Sequence, residues 1–191
     1  MEDNGVTIID RLLPWYRNLA QRNLRDITAV VLHATEIPQL DAAWDFAMQS
    51  VDEDGVGVCG HLYIDRDGAC FRFVPINRVA NHARGYNKRS IGIELINSGR
   101  YPDHFNSHQQ EPGEIFPESQ VSALKIVLTA LRKMCPSLAE LVRHSDIDQE
   151  MVPSSDDVNR KVRRRIDPGP KFPWEEVKES WDEETRGRLA S

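Results

Sequence analysis

The sequence predicts an α/β single domain, with a mixed central β-sheet flanked by helices, and three stretches carry that prediction. ITAVVLHAT (27–35) is β-branched and unbroken in its apolar middle, as suits a strand covered on both faces. SIGIELIN (90–97) alternates, with Ile91, Ile93 and Leu95 on one face and Gly92, Glu94 and Ile96 on the other. PESQVSALKIVLTALRKMCP (117–136) opens with Pro117 and Glu118 where a first helical turn favours them. It carries the apolar stripe Val121, Leu124, Leu128 and Leu131, and it stops at Pro136. Strand-like and helix-like segments interleave, which is the pattern of an α/β domain.

The remaining elements follow in chain order. Residues 1–26 are expected as an N-terminal extension packed on the domain, with Trp15 and Tyr16 as packing residues. DAAWDFAMQS (41–50) reads as a helix with Asp41 as its cap. GHLYIDRDGACFRFV holds two short strand-like runs around Asp67-Gly68, a hairpin-turn signal. Residues 101–116 are rich in Pro, Gly and Asn and predict a long loop. His104 and His108 in it have the spacing of a helical metal pair, but Pro102, Pro112 and the lack of apolar periodicity argue against a helix. The main domain is expected to span 27–178, with a polar surface insertion at about 148–164 and a C-terminal tail over 179–191.

A chain of 191 residues is long enough to bury one core, and 40% hydrophobic with 28% charged residues is ordinary for a globular protein. The net charge of −6 repels polyphosphates overall. The run NRKVRRRIDPGPKF, with five basic residues between Arg160 and Arg165, therefore has to act as a local patch if it acts on an anion at all. It lacks interleaved aromatics and any nucleic-acid motif, so no nucleic acid is expected as partner. No segment resembles a secretory leader, and no run approaches the roughly 18 apolar residues of a membrane span. The cysteines Cys59, Cys70 and Cys135 are odd in number and form no CxxC pair, which predicts reduced, buried thiols and a cytoplasmic protein. A protein exported without such a leader has the same features.

Three residues invite chemistry. His33 ends a buried strand at an edge where a side chain reaches a cleft. Glu94 sits mid-strand beside Gly92, which leaves space on its face. His144, in LVRHSDID, follows a helix and an apolar Leu-Val pair. Singly, each has a plain structural reading: a hydrogen-bonded core histidine, an outward carboxylate, an exposed loop histidine.

Together, VVLHAT, GHLYIDRDG, NHARGYNKRSIGIELIN, RHSDID and RIDPGPKFPW occur in an order that resembles the zinc-dependent N-acetylmuramoyl-L-alanine amidases. That family includes the cytoplasmic amidase of cell-wall recycling, phage lysozyme-like amidases and the peptidoglycan recognition proteins. The resemblance covers roughly residues 27–175 and implies their fold. It implies one Zn2+ per chain, held by His33, His144 and Asp167, a three-ligand set that leaves a fourth position for water. It implies Glu94 and Arg165 as the catalytic pair, with Glu94 taking the water proton and delivering it to the leaving amine. Arg165 stands where the family usually has a lysine, and it keeps the charge while changing the geometry. Phage enzymes carry a tyrosine at about Gly60, so this chain follows the glutamate branch. His144 and Asp167 lie 23 positions apart, longer than in the recycling enzymes, and the insertion accounts for the difference.

By the same resemblance His82, Arg84, Lys88 and Asn97 are expected to touch substrate, the two cations meeting the anionic stem peptide. His61 and Trp174 are expected to be structural. The implied activity is hydrolysis of the amide between N-acetylmuramic acid and L-alanine, in peptidoglycan fragments or the sacculus. A non-catalytic peptidoglycan-binding module of the same fold is the alternative, and release from phage an alternative setting. Retention of all three ligand types and of Glu94 favours the enzyme; the change from lysine to Arg165 points the other way.

Overall fold

The structure is a computed structural model that describes residues 2–3 and 6–189, with side chains described from 7 to 183. Among the described residues, seven strands form one mixed sheet in the order β1-β2-β5-β4-β6-β3-β7. They are β1 (Glu2–Asp3), β2 (Val6–Asp10), β3 (Ala29–Ala34), β4 (Leu62–Ile64), β5 (Cys70–Arg72), β6 (Ser90–Leu95) and β7 (Glu140–Arg143). The middle strands β4, β6, β3 and β7 run parallel, whereas β4 and β5 pair antiparallel across the turn at Asp67-Gly68. Gly68 takes φ +89° there, a conformation that favours glycine. The helices are α1 (Leu40–Gln49), α2 (Glu118–Met134), α3 (His144–Ile147) and α4 (Trp174–Leu189). Strands β8 (Met151–Pro153) and β9 (Lys161–Arg163) form a separate antiparallel hairpin. No described helix is long and apolar enough to cross a membrane.

All six residues of β3 are buried, because both faces of the sheet are covered. One core unites Val30, Leu32, Ile91, Ile93 and Leu95 with Leu124 and Leu128 of α2 and Val177 and Trp181 of α4. On the other face a second core gathers Leu13, Trp15, Ala43, Ala47, Tyr63, Phe73 and Ile96. The alternation of β6 thus sends Ile91, Ile93 and Leu95 toward α2 and leaves Gly92 and Glu94 for the opposite face. Cys59, Cys70 and Cys135 are free and buried. Residues between Tyr101 and Phe116 form no helix or strand, as their composition predicts.

Three segments differ from the sequence expectation. Residues 6–10, expected to pack on the domain, add a strand to the sheet by pairing with β5; VTIID is too short for its pairing to show in its pattern. The stretch from 179, expected as a tail, continues α4 and buries Trp181, whose ring stacks under the Arg132 guanidinium at 3.5 Å. Its many charges surround the apolar Trp174, Val177 and Trp181, which pack on the core. Helix α1 starts at Leu40 with Gln39 in the N-cap position, two residues before the expected cap, so Asp41 lies in the first turn and pairs with Arg11 instead of capping.

Candidate active site

His33 and Glu94 are register partners on β3 and β6, so their side chains emerge side by side on one face near the carboxyl ends of these parallel strands. His144 follows β7 directly and begins α3, buried rather than in an exposed loop. Asp167 follows β9, and the Ser145 N–H donates to its carbonyl at 2.9 Å, fastening the two segments together. Three donors from far-apart segments therefore converge. His33 Nδ1 lies 3.0 Å from His144 Nδ1 and 3.1 Å from Asp167 Oδ2, and His144 Nδ1 lies 3.0 Å from the same oxygen. All three residues are at most 5% exposed.

The electrostatics suit a cation. Burial, then the facing His144, pushes His33 down to about 4, which keeps its lone pair available near neutral pH. Burial alone would raise the Asp167 carboxyl, but the facing His144 and His33 overcome it and hold the group well below the usual carboxylate range. Its Oδ1 is buried with no hydrogen-bond partner, a costly state that a bound cation relieves. Two imidazoles and a carboxylate fit the donor preferences of zinc.

Glu94 is raised to about 8, first by burial and next by Asp167, with Arg165 opposing. Its seat depends on Gly60, where an added Cβ would come within 2.6 Å of Glu94 Cγ. Any side chain at position 60 would crowd Glu94 in this place, so the glycine makes room for the carboxylate. Gly92 has a different use from the open space expected beside Glu94. Its missing side chain is filled by the His82 ring, 2.5 Å from where a Cβ would stand.

A cavity of about 570 Å³ opens over these groups. His33, His82, Glu94, His144, Arg165 and Asp167 line its floor, and Phe46 of α1 with Tyr101 and Phe105 of the long loop form its apolar walls. Arg165 is half-buried and makes no side-chain hydrogen bond or ion pair among the described residues. Arg160, Arg163 and Arg164 are engaged elsewhere, and Lys161 is exposed. Arg160 pairs with Asp157, Arg164 with Asp148 and Glu150, and Arg163 donates to the Ser145 carbonyl at 2.6 Å.

The expected substrate contacts fare differently. Arg84 is exposed and pairs with Glu150 at 3.3 Å, Lys88 is exposed on the 3-10 turn Asn87–Arg89, and Asn97 is buried with Oδ1 accepting from the Gly99 N–H. None of these three lines the cavity: Arg84 and Lys88 precede β6 and face solvent, and the Asn97 oxygen is held by its own turn. His82 does line it, but both its ring nitrogens have protein partners, His33 Nε2 at 3.0 Å and Ser90 Oγ at 3.3 Å. His61 is wholly buried, accepting from the Gly92 N–H at Nδ1 and facing the Arg78 carbonyl with Nε2. Trp174 packs against the core beneath the Arg143 guanidinium.

One feature has no signal in the sequence. Arg100, in the polar stretch after β6, is fully buried and grips Glu36 with two nitrogens at 2.6 and 2.8 Å. The same guanidinium donates to the Arg163 and Arg164 carbonyls at 2.8 and 3.1 Å, just ahead of Arg165 and Asp167. It thereby ties the exit of β3 to the exit of β9.

With that geometry in place, the family model described as N-acetylmuramoyl-L-alanine amidase matches residues 23–170. The chain belongs to this amidase family. No curated relative matches it in sequence. Among solved structures, the amidase chain is similar to the N-acetylmuramoyl-L-alanine amidase LysC from Clostridium intestinale, at 23% identity and a TM-score of 0.66 over 92% of this chain and 97% of that one. It is similar to AmpD at 22% identity and a TM-score of 0.64, over 94% and 98% of the two chains. It also resembles AmpDh3 from Pseudomonas aeruginosa, solved in complex with anhydromuramic pentapeptide, at 24% identity and a TM-score of 0.60. That match covers 81% of the amidase chain described above and 60% of AmpDh3. These likenesses are of fold.

Proposed function

We propose that the chain is a zinc-dependent amidase that hydrolyses the bond between the lactyl group of N-acetylmuramic acid and L-alanine, in muropeptides or peptidoglycan. The observation that carries this reading is the meeting of His33, His144 and Asp167 within 3.1 Å, beneath a cavity that also holds Glu94. One Zn2+ held by those three residues would supply Lewis-acid polarisation of the amide carbonyl and a water of lowered pKa. Glu94 accepts a proton from the attacking water and passes it to the leaving nitrogen as the carbon–nitrogen bond breaks. The products are a lactyl carboxylate and a free peptide amine. Burial raises this carboxyl to about 8 in the metal-free site, which makes it a stronger proton acceptor, and the charge of a bound zinc would draw it back toward the range in which it both takes and gives a proton. Arg165, unpaired and facing the cavity, offers its charge to the carbonyl oxygen as that oxygen turns anionic. The apolar walls at Phe46, Tyr101 and Phe105 exclude water from one side of the reacting amide.

Free thiols at three buried cysteines favour a reducing, cytoplasmic setting. The test is mass spectrometry of products from zinc-loaded protein given soluble anhydro-muropeptides or intact sacculi, each beside a chelated control. Stem peptide released by the loaded sample alone supports the amidase and identifies the preferred substrate. Binding to sacculi without release, by protein that demonstrably holds zinc, would instead assign a non-catalytic recognition module.

A further inference from the structure

We propose that His82 and Ser90 form a positioning relay that dictates which nitrogen of His33 is offered to the metal. The inference rests on the zinc reading above and concerns residues that do not touch the metal themselves.

The direction of the relay follows from its far end. The Tyr86 carbonyl only accepts, and the Ser90 hydroxyl lies 2.7 Å from it, so the hydroxyl proton is committed there. Ser90 Oγ then turns a lone pair toward His82 Nε2 at 3.3 Å, and that nitrogen carries a proton. A neutral imidazole has only one, so His82 Nδ1 is an acceptor. It stands 3.0 Å from His33 Nε2, which therefore donates. The His33 Nδ1 lone pair then faces Asp167 Oδ2 at 3.1 Å and His144 Nδ1 at 3.0 Å, a meeting of acceptors that a proton or a cation between them reconciles, and this is where a metal ligand is needed. A single backbone carbonyl thus sets the tautomer of a ligand three hydrogen bonds away.

The surroundings protect this order. Ser90, His82 and His33 are all buried, with Ser90 wholly out of solvent. The His82 ring sits over Gly92, and its backbone N–H is held by Asn87 Oδ1 at 3.1 Å. The His33 and His82 rings stand at 89° to each other with their centroids 5.2 Å apart. A hydrogen bond from a ligating imidazole fixes its orientation and raises its basicity.

The experiment measures zinc affinity by chelator competition on the full chain, beside the tautomer of His33 read from its ring 15N shifts in zinc-free protein. Wild type should show the Nε2–H form. His82→Leu should weaken zinc about 10- to 100-fold, the usual effect of losing such a partner. His82→Asn, whose Oδ1 replaces Nδ1 as acceptor, should recover most of that loss. Ser90→Ala should fall between them and mix the His33 tautomers, with a melting temperature that shows it folded. Equal zinc loss in the Leu and Asn variants, or loss in neither, would overturn the relay, as would an Nδ1–H His33 in wild type. Should wild type bind no zinc, the amidase reading fails, and the 15N spectrum decides the relay by itself.

Discussion

A buried carboxyl with an ordinary partner ionises easily; Glu94 has none among the described residues, and its value near 8 has consequences beyond catalysis. The folded protein holds this proton more tightly than the unfolded chain, whose value is 4.5. Glu94's own contribution to stability is therefore full below pH 4.5 and is lost as the pH rises to 8, while the lowered carboxyl of Asp167 and the lowered imidazoles act in the opposite sense. Glu94→Gln removes that loss. Zinc-free Glu94→Gln should melt above wild type beyond pH 8, and the difference should vanish below pH 4.5. The same variant, zinc-loaded, should keep its metal and lose about 10²- to 10⁴-fold in kcat, the range for a lost general acid–base. Gly60→Ala should act on the same group by contact. Its Cβ meets Glu94 Cγ at 2.6 Å, so we expect a loss of kcat with zinc retained and a stability cost of about 1–3 kcal/mol, measured by denaturant unfolding.

At the level of elements, β3 and β6 carry the site because parallel pairing in this register puts His33 and Glu94 next to each other. Much of this was legible in the sequence: the alternation of SIGIEL names the face of Glu94, and the apolar run of β3 ends at His33. Other contacts were not, since they depend on how distant segments pack. Nothing local tells that Arg100 is buried, that His82 hydrogen-bonds His33, or that VTIID joins the sheet. Helix α4 belongs with these. Its first half reads as packing at Trp174, and its second half hides Trp181 among charges. Trp181→Ala should cost about 3–5 kcal/mol in urea unfolding, the range for a large aromatic removed from a core, whereas Met151→Ala on the exposed hairpin should cost little.

For the whole molecule, the parallel strands β6, β3 and β7 direct their carboxyl ends to one edge, and the last donor, Asp167, is brought there from beyond the hairpin. Donors at positions 33, 144 and 167 come together only in the folded chain, so a metal bound there counts toward folding stability. Zinc at about a hundred times its Kd should add about 2.7 kcal/mol, and a chelator should lower the melting temperature of wild type. Asp167→Ala should melt alike with and without chelator. The hairpin is held to the long loop by its own bonds, with the Ser155 N–H donating to the Phe105 carbonyl and the Ser107 N–H to Asp156. Its tip around Val158, 76% exposed, stands clear of the cavity.

The grip of Arg100 on β9 reaches main-chain oxygens alone. Such a grip is blind to spelling: it holds the strand by what every residue shares. The loop beyond is consequently free to be rewritten, and a reporter peptide grafted at Val158 should ride on the enzyme without disturbing the hand that holds Asp167.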